Sequence, residues 1–422
     1  MLCYVKKLYY LIYLFGFILL GQELGEITIY NTNNSNLVYN QLNCLEFDSE
    51  NRLWIGTQNG LSVFNETENS WINISNNNLP TNIITALEFN NWNETYSNMF
   101  VGTFEGLALA LWESELTGTQ EENITWYAQY GATCSPNNGI ISTLLYDNEL
   151  WSGSPEGLCV EGLGPEGSWL LQNTETEFYS NNITSITKNI NNDIIAIGTM
   201  NGGLVTYDNE FNIYYSSNSN ILDNTVFDVA FDQNNNIIIC TPQAGLGVLT
   251  ENGSWVWLNT VNSMLPTNSL KKIVVDNNND LWITTLENGL IHYKNNTFYN
   301  YTIDNSNLPD NKINCLKFGP NNHLWLGTDT AGLVKINTPI MSVKQEKNNC
   351  YNVYPSVFHS FINIDLDYPS NISIFNQQGQ LINRYNLTNQ KNTLSMQEYK
   401  PGIYLIRIQS KKETLIKKLI KY

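Results

Sequence analysis

The chain has 422 residues, more than one ordinary domain needs, and 42% of them are hydrophobic, enough to bury sizeable cores. Lys and Arg number 21 against 39 Asp and Glu, and a formal net charge of −18 repels phosphate backbones, which excludes nucleic acid as a ready partner. Three histidines, and seven cysteines without short regular spacing, leave no basis for a histidine triad, a zinc site or a dense disulfide framework.

Residues 1–21 open with Lys6 and Lys7, continue through an apolar run from Leu8 to Leu20, and end at Gly21 before polar sequence. This pattern predicts a signal peptide cleaved near Gly21, because the apolar run is short for a membrane anchor. No Cys follows it, which argues against a lipoprotein, and no other run approaches spanning length, so the mature chain is expected to lack a membrane span. Charge then divides unevenly. Residues 22–344 hold 9 Lys/Arg against 34 Asp/Glu, a net −25, whereas 345–422 hold 10 against 5.

From residue 53 onward one phrase recurs: apolar, Trp, apolar, Gly-Thr, a turn, then Gly-Leu. Clear copies are Leu53-Trp54-Ile55-Gly56-Thr57 with Gly60-Leu61, Leu281-Trp282-Ile283-Thr284-Thr285 with Gly289-Leu290, and Leu324-Trp325-Leu326-Gly327-Thr328 with Gly332-Leu333. Weaker copies centre on Phe100, Trp151, Ala196 and Ile238, giving seven centres spaced 46, 51, 45, 42, 44 and 43 apart. A period near 43 accommodates four short strands with their turns, the size of one propeller blade. Asn59-Gly60 and Asn288-Gly289 are hairpin signals, because both residues tolerate positive φ. The prediction is all-β: a seven-bladed β-propeller over 22–340, followed by a small C-terminal β-sandwich.

The seventh copy stops after Val334-Lys335-Ile336 without an outer strand, while residues 27–37 match 299–308. Residues 26–38 are therefore expected to close the last blade and remove the open edges. Cys44 and Cys315 share one repeat position and read as small buried residues. Cys134 and Cys159 fall within one blade, where a bridge is open to geometry.

The repeat over residues 26–338 resembles the two-component-regulator propeller family, whose phrases build sensor ectodomains of bacterial hybrid kinases. Full-length sensors of that kind continue into a linking β domain, a membrane helix and a kinase, none of which stands in this sequence. Residues 345–422 carry a second pattern: Val353-Tyr354-Pro355, Ile362-Asn363-Ile364-Asp365-Leu366, Gly379-Gln380-Leu381, Tyr399-Lys400-Pro401-Gly402-Ile403-Tyr404 and Lys417-Lys418-Leu419-Ile420. In order and spacing this resembles the C-terminal sorting domain of the type IX secretion system. Tyr354-Pro355-Ser356-Val357 departs from the family's usual Pro-Asn-Pro. The resemblance implies export through that machinery to the medium or the outer cell surface, then removal of the sorting domain.

Positions shared by every blade read as scaffold, so specificity is expected where blades differ on a shared surface. The hairpins after the Gly-Thr phrase open on one face and offer Gln58, Phe104, Glu105, Glu156, Met200, Gln243, Glu287 and Asp329. Such a ring of carboxylates, amides and an aromatic suits a polar ligand such as a sugar, and equally a plain solvated rim. Glu105 and Glu156, at related positions in adjacent blades, are the candidate acid/base pair for glycoside cleavage, although neighbouring Glu residues are common on polar rims. Trp126, Tyr127 and Tyr130, in the insertion from 112 to 138, are candidates for an aromatic lip, against the alternative of packing between blades. Asp276-Asn277-Asn278-Asn279-Asp280 and Asp232-Gln233-Asn234-Asn235-Asn236 alternate oxygen ligands as calcium loops do but lack the Gly and Glu of an EF-hand, so ordinary turn chemistry is the expectation and no cofactor is. The functional expectation is a secreted, non-catalytic binding module for a glycan or a protein. The alternatives are a carbohydrate-active enzyme using rim carboxylates, and a sensor working with a separate membrane partner.

Overall fold

In the computed structural model the chain divides into two compact units, Met1–Pro339 and Ile340–Tyr422. The structure describes residues 24–74, 79–91, 96–113, 124–128, 139–163, 169–176 and 178–337 of the first unit. In the second it describes 351–354, 357–358, 360–366, 369–376, 381–400, 402–409 and 414–421. The expected signal peptide, residues 1–21, lies outside them.

The recurring phrase forms the second strand of each repeat, as in Leu53–Thr57, Leu281–Thr285 and Leu324–Thr328, and all five residues of each are buried. A strand apolar on both faces needs a neighbour on each, and the described residues of the first unit supply them as seven four-stranded antiparallel sheets. Their first strands are Leu42–Phe47, Ile84–Asn91, Ser142–Tyr146, Ile183–Lys188, Asp228–Phe231, Leu270–Val275 and Ile313–Phe318, which define sheets 1 to 7. Each first strand contacts that of the next sheet, and that of sheet 7 contacts that of sheet 1, so these strands line a ring.

Sheets 1 to 6 take their four strands consecutively from the chain. Sheet 7 takes its fourth from the start of the unit: Glu26–Tyr30 pairs antiparallel with Leu333–Asn337, with Ile27 opposite Ile336 and Tyr30 opposite Leu333. That pairing joins the two ends of the unit in one sheet and covers the edge of Leu333–Asn337.

The core lies between sheets. Trp54, Leu61 and Val63 of sheet 1 pack against Ile84, Met99, Val101 and Trp112 of sheet 2, while Ile55 and Phe64 on the other face meet Cys315, Trp325 and Leu333 of sheet 7. Each such large side chain contributes about 1.5–3 kcal/mol by leaving water. The glycine of the phrase is demanded by the close approach of these layers: a Cβ on Gly327 would overlap Cys315 Sγ and lie 2.8 Å from Leu42 Cβ. Cys44 and Cys315 are free thiols beneath those glycines, and burial pushes the Cys315 thiol up to about 12. Cys159 is disulfide-bonded, and Cys134 lies outside the described residues.

The second unit stacks two sheets. Tyr351–Tyr354, Phe361–Leu366 and Lys391–Ser395 form one, and the other orders Val357–Phe358, Thr414–Lys421, Gly402–Gln409, Ser370–Asn376 and Leu381–Leu387. Alternate residues face inward, so Val353, Ile362 and Ile364 of the smaller sheet meet Ile372, Ile374, Ile406 and Ile408 of the larger in one buried cluster.

Candidate functional site

Each sheet of the ring turns between its second and third strands by the same device. The Thr or Ser that ends the phrase donates its hydroxyl to the carbonyl of the glycine that follows: Thr57 to Gly60 (2.7 Å), Thr103 to Gly106 (2.9 Å), Ser154 to Gly157 (3.1 Å) and Thr199 to Gly203 (2.7 Å). Thr241 to Gly245 (2.8 Å), Thr285 to Gly289 (3.0 Å) and Thr328 to Gly332 (2.8 Å) complete the set. The glycines hold positive φ, 77° at Gly289, where a Cβ would overlap the Tyr301 carbonyl. Seven hairpins are thereby fixed by a bond that does not use the side chains of the two or three residues between the hydroxyl and the glycine.

Two of those side chains, Gln58 and Phe104, reach a cavity of about 1030 Å³ lined by the first strands, with Gln41 beside them. Asn43 Nδ2 lies 3.4 Å from Gln58 Oε1 and donates at 2.8 Å to the Ile84 carbonyl of the next sheet. Beside this cavity, a smaller cleft of about 460 Å³ lies between sheets 6 and 7, lined by Ser269, Lys271, Glu287, Lys312, Asn314 and Asp329 among others. Lys271 Nζ donates to Asn314 Oδ1 at 2.7 Å, and Asp329 Oδ1 accepts from Asn314 Nδ2 at 3.5 Å and from Gln41 Nε2 at 2.9 Å. That chain of hydrogen bonds joins sheets 6, 7 and 1.

Further along the ring, polar groups tie first strand to first strand. Asp228 accepts the Ile273 amide at 2.9 Å and pairs with Lys272 at 3.4 Å, so burial raises its carboxyl while Lys272 offsets part of that rise. Glu46 pairs with Lys317 of sheet 7. Glu88 accepts the Leu145 amide at 3.0 Å, and burial together with the nearby Glu46 charge raises its carboxyl to about 8. Burial lowers the Lys271 amine, against the opposing pull of Asp329.

The residues singled out from sequence distribute unevenly over this geometry. Gln58 and Phe104 reach the central cavity, and Glu287 and Asp329 meet in the cleft. Glu105 and Glu156 stand at the exposed tips of the hairpins of sheets 2 and 3, while Gln243 stands in that of sheet 5, its backbone N–H donating to Asp223 Oδ2 at 3.2 Å. Trp126 and Tyr127 do not join them. They occupy the outermost strand of sheet 2, Thr125–Ala128, where Trp126 packs against the apolar layer between sheets 1 and 2 and Tyr127 points to solvent. An indole gains more from that layer than from an exposed lip. Tyr130 lies outside the described residues.

Sequence reasoning overlooked Lys271, Asn314 and Gln41. A signal existed for the first: the repeat position holding Asn43, Thr85, Thr184 and Asn314 carries a lysine in sheet 6. The calcium-loop residues use their oxygens locally. Asp276 Oδ1 accepts the amides of Asn278 and Asp280 at 2.8 and 2.9 Å, and Asp232 Oδ1 those of Asn234 and Asn236, both at 2.8 Å. Asp276, Asp280 and His292 do cluster, but Lys294 Nζ sits 3.0 Å from Asp280 Oδ2 and already supplies it with a positive charge.

Comparison with known proteins matches these two units. Residues 36–59 and 307–330 match the two component regulator propeller family model, and residues 352–422 match that of the secretion system C-terminal sorting domain. Among solved structures, the chain is similar to the extracellular domain of BT3049 from B. thetaiotaomicron, assigned to the hybrid two component systems, at 16% identity and TM-score 0.59, over 94% of this chain and 57% of that one. It is similar to the extracellular domain of BT4673 from the same organism at 18% identity and TM-score 0.58, over 93% of this chain and 52% of that one. PorZ of Porphyromonas gingivalis, an essential surface component of the type IX secretion system, gives 15% identity and TM-score 0.52, over 91% of this chain and 60% of that one. At these identities the likeness is one of fold. No curated protein matches the chain.

The class of protein is therefore a propeller built from regulator-type repeats with a type IX sorting domain at its C-terminus. The sorting domain makes the chain a secreted or cell-surface protein that engages the secretion machinery through residues 352–422. Among the described residues no helix is long and apolar enough to cross a membrane.

Proposed function

We propose that this protein is a non-catalytic binding module that takes a glycan or protein ligand on the hairpin face, over the mouth of the central cavity. The reading is carried by the hairpin device: one hydroxyl-to-carbonyl bond repeated seven times holds a rigid rim whose outward residues vary from sheet to sheet, from Gln58 and Phe104 to Glu287 and Asp329. A scaffold that is constant where it bears load and variable where it meets solvent is suited to recognition. The candidate acid/base pair, Glu105 and Glu156, stands on exposed hairpin tips, an environment that favours hydration over acid/base work.

The test uses the full chain, incubated with a panel of polysaccharides and protein fragments while retention and new reducing or unsaturated ends are recorded. Retention without new ends, weakened by Phe104→Ala, is the expected outcome. New ends that vanish in Glu105→Ala or Glu156→Ala would replace this reading with the enzyme. Recovery of a membrane protein on the same face would extend it to the sensor role.

A further inference from the structure

The larger sheet of the second unit buries one face against the smaller sheet and turns the other outward. Ile372 and Ile374 of the strand Ser370–Asn376, and Ile406 and Ile408 of its neighbour Gly402–Gln409, belong to the buried cluster, so the residues between them point the other way. Strand pairing sets those outward residues in three rows. Phe375 lies opposite Leu381 on one side and Leu405 on the other. Ser373 lies between Arg384 and Arg407, and Asn371 between Asn386 and Gln409. One face thus carries an apolar row, a cationic row and an amide row side by side, each spanning two strand spacings, roughly 10 Å.

The two arginines have no use inside the unit. Among the described residues the ion pairs all lie in the propeller, and neither guanidinium meets a carboxylate. Arg384 is exposed, while Arg407 stands with its guanidinium carbon 5.4 Å from the centre of the Phe375 ring and its Nε–H buried without an acceptor. Two planar forks placed one strand either side of Ser373 are suited to taking carboxylates. The surrounding sequence adds to that preference, with 10 Lys/Arg against 5 Asp/Glu in residues 345–422. In the next row Leu381 and Leu405 are 44% and 37% exposed on either side of Phe375. Aromatic rings and arginine are what the centres of protein interfaces concentrate, and amides suit their rims. A pleated sheet is flat, whereas small ligands take concave sites, so the shape favours a protein surface.

We propose that this face is where the sorting domain docks on the secretion machinery, against a protein surface that presents carboxylates to Arg384 and Arg407 and an apolar group to the row of Leu381, Phe375 and Leu405. The family match brings residues 352–422 to that machinery but assigns no face to the meeting. The proposal stands apart from whatever the propeller binds, because it uses residues of the second unit alone.

The experiment follows export of the full chain from a cell with a type IX system, measured as the amount reaching the medium and the cell surface. Arg384→Glu together with Arg407→Glu is expected to lower export about tenfold or more, because charge reversal turns two attractive contacts into repulsive ones. Leu405→Ser should lower it less. Lys391→Glu together with Lys400→Glu makes the same change in net charge at exposed positions off the three rows, and should leave export unchanged. Thermal melts of the purified full chain separate docking from folding. If the charge reversal lowers the melt, Arg384→Gln with Arg407→Gln takes its place and should still reduce export. Normal export of a stably folded arginine variant overturns the proposal, as do equal losses from the two double reversals, which would trace the effect to net charge. Flotation of the unaltered protein with vesicles of anionic phospholipid, lost on arginine reversal, would give the face to a lipid surface and overturn the protein partner.

Discussion

The two ends of the ring are built from the same strands and spend their polar groups in opposite ways. At the end where first strands turn into second strands, Asp48, Asn189, Asp232 and Asp276 each accept backbone amides of their own turn. In sheet 1 the network closes completely: Asp48 Oδ2 also takes Arg52 Nε at 2.6 Å and Trp54 Nε1 at 2.8 Å. At the hairpin end the buried hydroxyl and the glycine carbonyl satisfy each other, and outer side chains such as Glu105, Gln58 and Glu287 are left to solvent, to the cavity or to the cleft. A turn that consumes its own side chains serves stability. A turn that needs none of its outer side chains leaves them available for recognition.

The largest effect that would break this contrast lies at the closed end. Arg52→Ala leaves Asp48, whose side chain is fully buried, without its cation, and should cost about 3–5 kcal/mol in urea unfolding. A loss below about 1 kcal/mol would mean that water reaches Asp48, and that this end is no more closed than the other. Next comes the hairpin scaffold. Thr285→Val removes the donor to the Gly289 carbonyl and the acceptor of the Asn288 amide at 2.7 Å, at a cost of about 1–3 kcal/mol. Thr328→Val should cost a similar amount, and a large difference between the two would show that the hairpins are not equivalent supports.

Glu88 sharpens the comparison through pH. Its folded carboxyl titrates near 8 against 4.5 for the free side chain, so between those values the folded state binds the extra proton. Stability is therefore fully present below about pH 4.5 and falls as pH rises toward 8. Glu88→Gln should flatten that slope in thermal melts taken from pH 5 to pH 8, and an unchanged slope would place the titration elsewhere. The smallest effect belongs to the hairpin tips: Glu287→Gln breaks an exposed pair with Lys312 at 3.5 Å and should alter stability by about 0.5 kcal/mol or less. A clear destabilisation there would show that the rim carries structure as well as recognition.

Most of the architecture was legible as repetition. The phrase centred on Trp54, Trp282 and Trp325 predicts a buried second strand and a glycine hairpin, and those elements are where its spacing puts them. The tail read the same way, because alternating Ile362-Asn363-Ile364 and Ile372-Ser373-Ile374 need a second sheet to cover them. The site was less legible. Gln58, Phe104, Glu287 and Asp329 could be placed on one face from their offset after the Gly-Thr pair, since the hairpin device ties that offset to one end of the ring. Trp126 was left open between a lip and packing between blades because an insertion carries no repeat offset, and only the placing of its strand beside Gly106–Glu113 sets it against the apolar layer between sheets 1 and 2.

By itself, then, the sequence determined the class of fold and the C-terminal sorting domain, because each depends on local periodicity or on motifs a few residues long. Only the tertiary structure decided which charges are satisfied. Lys271 and Lys272 are neighbours in sequence and indistinguishable there. Ring geometry brings Asp228, 44 residues away, to Lys272, and gives Lys271 the neutral amide of Asn314, 43 residues away. Whether a charge is paired depends on which strand lies beside it across the ring, and that is a property of closure rather than of any segment of the chain.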